Sequence, residues 1–169
     1  MSFQSTVRLA QTAGIVGEVI FDGPQRAETK ILQSADPALN IIGRAFTQDP
    51  TLSPDASNFI AVGGADVFAG ILVNPLVYAT AGTAAGALQP TLVLPNETQV
   101  EVLKMGTIIV DLTTSAKIGD DVHFVIATGE LLAVAPGTAP AVGNAVVPNT
   151  QVTRQNIPAP GLAYIQLTN

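Results

Sequence analysis

Cysteine and tryptophan are absent from this chain of 169 residues, histidine occurs once, and only 12% of the residues are charged. Each shortage excludes something. Without cysteine there is neither a disulfide framework nor a Cys-ligated zinc site. Acid–base or nucleophilic chemistry needs several titratable groups gathered in one cleft, and here such groups are few and scattered. The seven Lys and Arg form no run, so the clustered cations that grip a phosphate backbone are missing and direct nucleic-acid binding is not expected. No apolar stretch is long enough to span a bilayer; the best, residues 13–21, contains Glu18. The N-terminus also lacks the basic-then-apolar order of a signal peptide. The expectation is a protein made in the cytoplasm, without membrane, cofactor or catalytic role.

What is present is apolar and small. Hydrophobic residues make up 47% of the chain, broken into short runs by 15 Gly and 12 Pro, and the net charge is −6. A charged fraction about half the usual ~25% leaves an exterior of Thr, Ser, Asn, Gln, Ala and backbone. Charge is depleted in the same way at the cores of protein interfaces, so the composition points to a protein that works by contact with copies of itself or a partner. The length fits one domain plus an arm, read as an arm over residues 1–14 and a single β-domain over 15–169. In the arm, Phe3, Val7 and Leu9 stand at odd-numbered positions, an even spacing that in an extended chain puts them on one side.

The pattern beyond the arm is that of strands. Short candidates fall at residues 17–21, 28–33, 40–48, 59–62 and 67–73, with Gly63-Gly64-Ala65-Asp66 read as a hairpin connection between the last two. Residues 79–90 are rich in Ala, Gly and Thr; Gly82, Gly86 and Pro90 argue against a helix, and small residues there permit close approach of a neighbour. Val100 and Val102 share a face in residues 99–104. Residues 107–113 alternate Ile108, Val110 and Leu112 against Thr107, Asp111 and Thr113, with Ile109 breaking the polar side. Val122, Phe124 and Ile126 repeat the scheme, and Thr128-Gly129 turns the chain into residues 130–134, a second hairpin. Residues 144–147 and 161–167 complete about ten strands. Period two with one polar face means antiparallel strands, and turns at this spacing predict an all-β fold, a jelly-roll-like sandwich or a barrel.

Motifs for chemistry are weak. His123 shares a strand face with Asp121 by parity and reads as a partly exposed strand histidine, since no G-x-S-x-G elbow accompanies it. Asp120-Asp121 lacks the alternating oxygen ligands of a calcium loop, and Gly119-Asp120 reads as a turn. Gly63-Gly64 precedes neither a Lys nor a helix start, so it is no phosphate loop. Val102-Leu103-Lys104-Met105-Gly106 followed by Gly119-Asp120-Asp121-Val122 is similar to the biotinyl or lipoyl carrier pattern, with Lys104 as the modified residue. A sugar-binding β-sandwich is the other alternative, supported only by Tyr78 and Tyr164.

A longer series of segments points elsewhere. Met1-Ser2-Phe3-Gln4 opens an arm; Ile42-Gly43-Arg44-Ala45-Phe46 follows. Then come Gly106-Thr107-Ile108-Ile109-Val110, Ile118-Gly119-Asp120-Asp121-Val122, Ala127-Thr128-Gly129-Glu130-Leu131 and Leu162-Ala163-Tyr164-Ile165. In this order and spacing, covering nearly the whole chain, the sequence resembles the structural cement (decoration) proteins of tailed-bacteriophage heads. The resemblance implies a jelly-roll-like β-domain, a homotrimer at three-fold positions on the capsid exterior, and contact with the major capsid protein. On that reading Phe3, Val7, Leu9, Gly82 and Gly86 are the candidate interface residues.

Overall fold

The computed structural model describes residues 14–48, 58–74 and 93–168. Among these, the chain forms ten strands and one 3-10 turn at Pro37–Leu39. The strands are β1 (Val19–Ile20), β2 (Arg26–Leu32), β3 (Ala45–Gln48), β4 (Phe59–Val62), β5 (Val67–Leu72), β6 (Gln99–Leu112), β7 (Asp121–Val125), β8 (Leu131–Val134), β9 (Asn144–Thr153) and β10 (Gly161–Leu167). The all-β expectation holds, and the pairings close into barrel-like circuits. One circuit runs β6–β2–β4–β3–β5 and returns to β6. The other runs β6–β10–β9–β7–β8 and also returns to β6. Closure of the first uses Ile71 opposite Leu103 and Leu72 opposite Val102. Closure of the second uses Leu112 opposite Leu131, reinforced by the Thr113 N–H donating to the Leu131 carbonyl at 2.9 Å.

Both circuits therefore share β6, which the sequence pattern splits into two strands at Lys104-Met105-Gly106. The structure joins them. Arg26 lies opposite Met105 and Ala27 opposite Leu103, so Lys104 is an extra residue, a β-bulge. A bulge advances the side-chain alternation by one residue. Before it, Val100 and Val102 point into the core of the first barrel; after it, Ile108, Val110 and Leu112 point into the core of the second. Ile109, the residue that spoils the polar face, is buried because the chain passes over it at Gly14–Glu18, with the Gly17 N–H donating to the Ile109 carbonyl at 2.7 Å.

Three other differences have physical causes. Strands β4 and β5 are not a hairpin: β3 lies between them and pairs antiparallel with both. The β2–β4 and β6–β8 pairs are parallel. Strand β9 runs on to Thr153, past Pro148 and Asn149, because its register with β7 is irregular between Val146 and Gln151, and such an irregularity tolerates a proline. The β7–β8 hairpin forms as expected, with the Val125 N–H donating to the Glu130 carbonyl at 2.9 Å.

The two cores meet across one wall. On β3, β5 and the first half of β6, the residues Phe46, Leu72 and Val102 face the first core, while Ala45, Ile71 and Leu103 face the second. A wall covered on both sides must be apolar on both sides, which is why β5 reads as a continuous hydrophobic run. Phe68 completes the joint, its ring 6.2 Å from that of Phe124.

Backbone groups lock the joint at one point. The Ala45 N–H donates to the Gly129 carbonyl and its carbonyl accepts from the Gly63 N–H, both at 2.9 Å, while the Gly64 N–H donates to the Ile126 carbonyl at 2.8 Å. Gly63 and Gly129 have positive φ values of 60° and 71°, and a Cβ on Gly129 would lie 2.6 Å from the Ala45 carbonyl oxygen. The two turns thus approach backbone to backbone, which only glycine permits. Gly63→Ala and Gly129→Ala are expected to lose about 2–4 kcal/mol each, combining left-handed strain with overpacking. Gly137→Ala, at a φ of 73° but in open space, is expected to lose only about 1 kcal/mol. Urea denaturation of the three variants checks this ordering.

Candidate functional site

The search for chemistry begins at His123. It sits in β7 opposite Leu132 and Val146 and is 2% exposed, so the expected partly exposed strand histidine is buried instead. The reason is topological. Strand β7 lies between β8 and β9 in the sheet, so the connection from β8 to β9 must cross β7 on its outer side. It is pinned at one end by the Gly137 N–H to the Asp121 carboxylate at 2.7 Å, and at the other by the Ile126 N–H to the Gly143 carbonyl at 2.8 Å. His123 lies beneath that crossing. Burial pushes its pKa below the ordinary value, and the Asp121 charge opposes this in part. Among the described residues no hydroxyl is hydrogen-bonded to the ring, so His123 and Asp121 do not assemble a nucleophilic triad. Nor do any three of His, Asp and Glu there converge to hold a metal ion.

Lys104 is likewise tied up. The carrier reading needs a lysine on a free hairpin tip, whereas Lys104 is the bulge residue inside β6, with Nζ 2.8 Å from Glu28 Oε2. Lys30 and Arg26 flank the same carboxylate at 3.7 and 3.9 Å, and the Lys104 ammonium above all holds the Glu28 carboxyl below the usual carboxylate range. The sugar-site alternative fares similarly at Tyr164. Its ring is covered by the Arg154 guanidinium, 5.2 Å from the centroid, and Arg154 is ion-paired with Asp22. Tyr78 lies outside the described residues. The remaining cation of note, Arg44, is largely buried; it donates to Glu130 at 3.0 Å and to the Thr128 carbonyl at 3.1 Å, stitching the first barrel to the β7–β8 turn.

Arg26, Lys30, Arg44, Lys104 and Arg154 are thus ion-paired, while Lys117 is exposed without an ion pair among the described residues, and the carboxylates divide unevenly over the surface. The five contact residues expected from the sequence, Phe3, Val7, Leu9, Gly82 and Gly86, lie outside the described residues. Within them, Asp36, Asp66, Glu97 and Glu101 are exposed on the first barrel and its loops. The opposite holds for the C-terminal strands: from Leu131 onward the only charged residue is Arg154. The crossing over residues 135–143 is exposed throughout, with Val142 fully exposed, and Val146 is half-exposed beside it. A shallow groove of about 420 Å³ runs along β9 and β10, lined by Asp121, Val146, Asn149, Gln151, Gln166 and Thr168. Sequence reasoning passed over this face because it sought motifs; the signal was the charge gap after Glu130.

These features define an all-β protein with closed, barrel-like strand circuits. Residues 3–168 match the family model described as "Structural cement protein (E217 gp24/Pam3 gp6)". The chain belongs to this family of structural phage proteins and is a structural component of the virion, associated with its capsid. A chain in the solved structure described as "The capsid of Myoviridae Phage XM1" is similar in fold, with a TM-score of 0.61 over 100% of this chain and 99% of that one, at 17% identity. No curated protein matches the chain.

The buried imidazole makes a pH prediction. Because the folded-state pKa of His123 is lowered, the unfolded chain binds the proton first as pH falls. Stability is therefore full above the unfolded value near 6.5 and declines below it. Between about pH 7 and about pH 5 the wild-type Tm should fall more than that of His123→Gln. Parallel profiles in thermal melts would show that His123 contributes nothing to the pH dependence.

Proposed function

We propose that this protein is a decoration protein that braces the head shell by binding the major capsid protein from the outside, as a homotrimer. Carrying this reading is the family match over residues 3–168, and the low charge of the chain supports it. Polar surface desolvates at less expense than charged surface, and weak contacts repeated over symmetric copies add by avidity. The protein is made in the host cytoplasm and assembles there onto heads.

Within this reading, residues 1–14 are an arm that docks on an adjacent subunit through Phe3, Val7 and Leu9, where an extended segment can add main-chain hydrogen bonds at a sheet edge. Residues 15–169 are the β-domain. The small residues around Gly82 and Gly86 lie at a close contact, either the trimer axis or the shell.

Co-sedimentation with undecorated heads tests the proposal. The protein should pellet with heads in copy numbers that are multiples of three, and protein left in the supernatant at micromolar concentration would overturn it. Removing residues 1–14 should lower retention about tenfold or more, because one of several linked contacts is lost; undiminished retention would reject the arm. Gly82→Phe or Gly86→Phe should hinder assembly, and normal assembly by both would move the close contact elsewhere.

A further inference from the structure

We propose that residues 135–143 are an acid-released strap: when His123 takes up a proton, this crossing lifts from β7 while both barrel circuits stay closed. The proposal stands independently of the capsid role.

The topology puts the strap over the imidazole. Strands β8 and β9 flank β7 and both run antiparallel to it, so they are parallel to each other. The chain between them must therefore return along β7, from Val134 opposite Asp121 to Gly143 beside Ile126. Val122 and Phe124 point into the second core, so strand alternation aims Asp121 and His123 outward, under that return. The ring is buried there, and among the described residues it makes no hydrogen bond.

The strap is held lightly. Each of its residues is exposed, so it buries no side chain of its own, the mark of a segment that opens ahead of the core. One tie is the Gly137 N–H donating to the Asp121 carboxylate at 2.7 Å; the other is the Ile126 N–H donating to the Gly143 carbonyl at 2.8 Å. Gly137 and Gly143, with positive φ and open space around them, give a hinge at each tie. Strand β7, by contrast, is paired on both edges. A proton makes the ring a cation with two donors, which needs water or an anion. Water enters if the strap alone moves. The strap has no titratable side chain. Strand β8 sets Leu132 opposite the ring, and Glu130, farther along, is taken by Arg44 at 3.0 Å. Strand β9 sets Val146 opposite. That leaves Asp121, the strap's own anchor, as the near charge, so an imidazolium competes with the Gly137 N–H for it. Burial lowers the ring's proton affinity and Asp121 opposes this in part, the direction a ring that protonates more readily uncovered requires.

Amide exchange in the full chain, read residue by residue by NMR and corrected for the intrinsic effect of pH, tests this. The Gly137 and Ile126 amides report the strap, and the Ala163 and Ile165 amides of β10 report the core. At every pH the strap amides should be protected about a hundredfold less than the core amides. Low urea should leave their protection unchanged while lowering that of the core, because lifting the strap exposes little surface. From pH 7.5 to 5.5 strap protection should fall about tenfold, since an uncovered imidazole titrates near 6.5. His123→Gln should abolish that fall. Strap amides that share the protection and urea response of the core would overturn the proposal, as would a wild-type profile flat with pH or an equal fall in His123→Gln. The wild-type ring gives a reading that needs no variant. Its C–H resonances should report protonation only where strap protection is lost, and a ring that titrates beneath a protected strap would overturn the proposal.

Discussion

Strand β6, fourteen residues long, is paired along both edges, to β2 and β1 on one side and to β5 and β10 on the other. Because both circuits pass through it, neither barrel closes without it. The extra residue at Lys104 lets one strand serve two cores, since the bulge shifts which residues point inward. The surroundings of the bulge fit the same purpose: Lys104 reaches Glu28 on the neighbouring strand, so the residue displaced from the ladder keeps a partner across it. A small barrel alone would bury little apolar surface. Two that share a strand bury the outer wall of one in the core of the other, and the wall residues Ala45, Ile71 and Leu103 contribute to a second core instead of facing water.

The legible part of this fold was the local alternation. Residues 107–113 and 121–126 show period two and lie in β6 and β7 except for their last residue, and residues 161–167, apolar on both faces, are β10. What escaped was long-range. Gly63-Gly64 has the composition of a hairpin turn, but its strands are separated by β3, which is drawn from residues before them in the chain. The continuity of β6 was hidden because Lys104-Met105-Gly106 interrupts the hydrophobic period, and a bulge leaves the same mark in a sequence as a break. The sequence pattern marks only residues 144–147 of β9; its continuation past Pro148 to Thr153 depends on an irregular register with β7 that leaves room for the proline.

The chemistry of the site was legible mainly as scarcity. With one imidazole and no thiol, the sequence left little with which to build a reaction centre, and each residue that tempted a functional reading has a structural partner. Lys104 serves Glu28, Tyr164 lies under Arg154, Asp121 anchors the crossing at Gly137, and His123 is roofed by that crossing. None of these partners could be inferred from spacing, because each joins residues that only the topology brings together. The contact surface is the reverse case. It has no motif, since contact needs area and charge compatibility more than any particular residue.

That compatibility gives the molecule a direction. A chain of net charge −6 could have spread its carboxylates evenly, which would aid solubility and oppose any contact between copies. Instead the charges are gathered before Leu131, and the last three strands, with the exposed crossing that connects two of them, carry almost none. The same crossing lies over His123, whose burial pushes its pKa below the ordinary value while the Asp121 charge opposes this in part. Protonation beneath the crossing would place a buried positive charge under the surface with only Asp121 nearby to offset it. The sparse charge of the C-terminal strands and the burial of His123 meet at the fixed path of residues 135–143 across β7, which the Asp121 carboxylate anchors at Gly137.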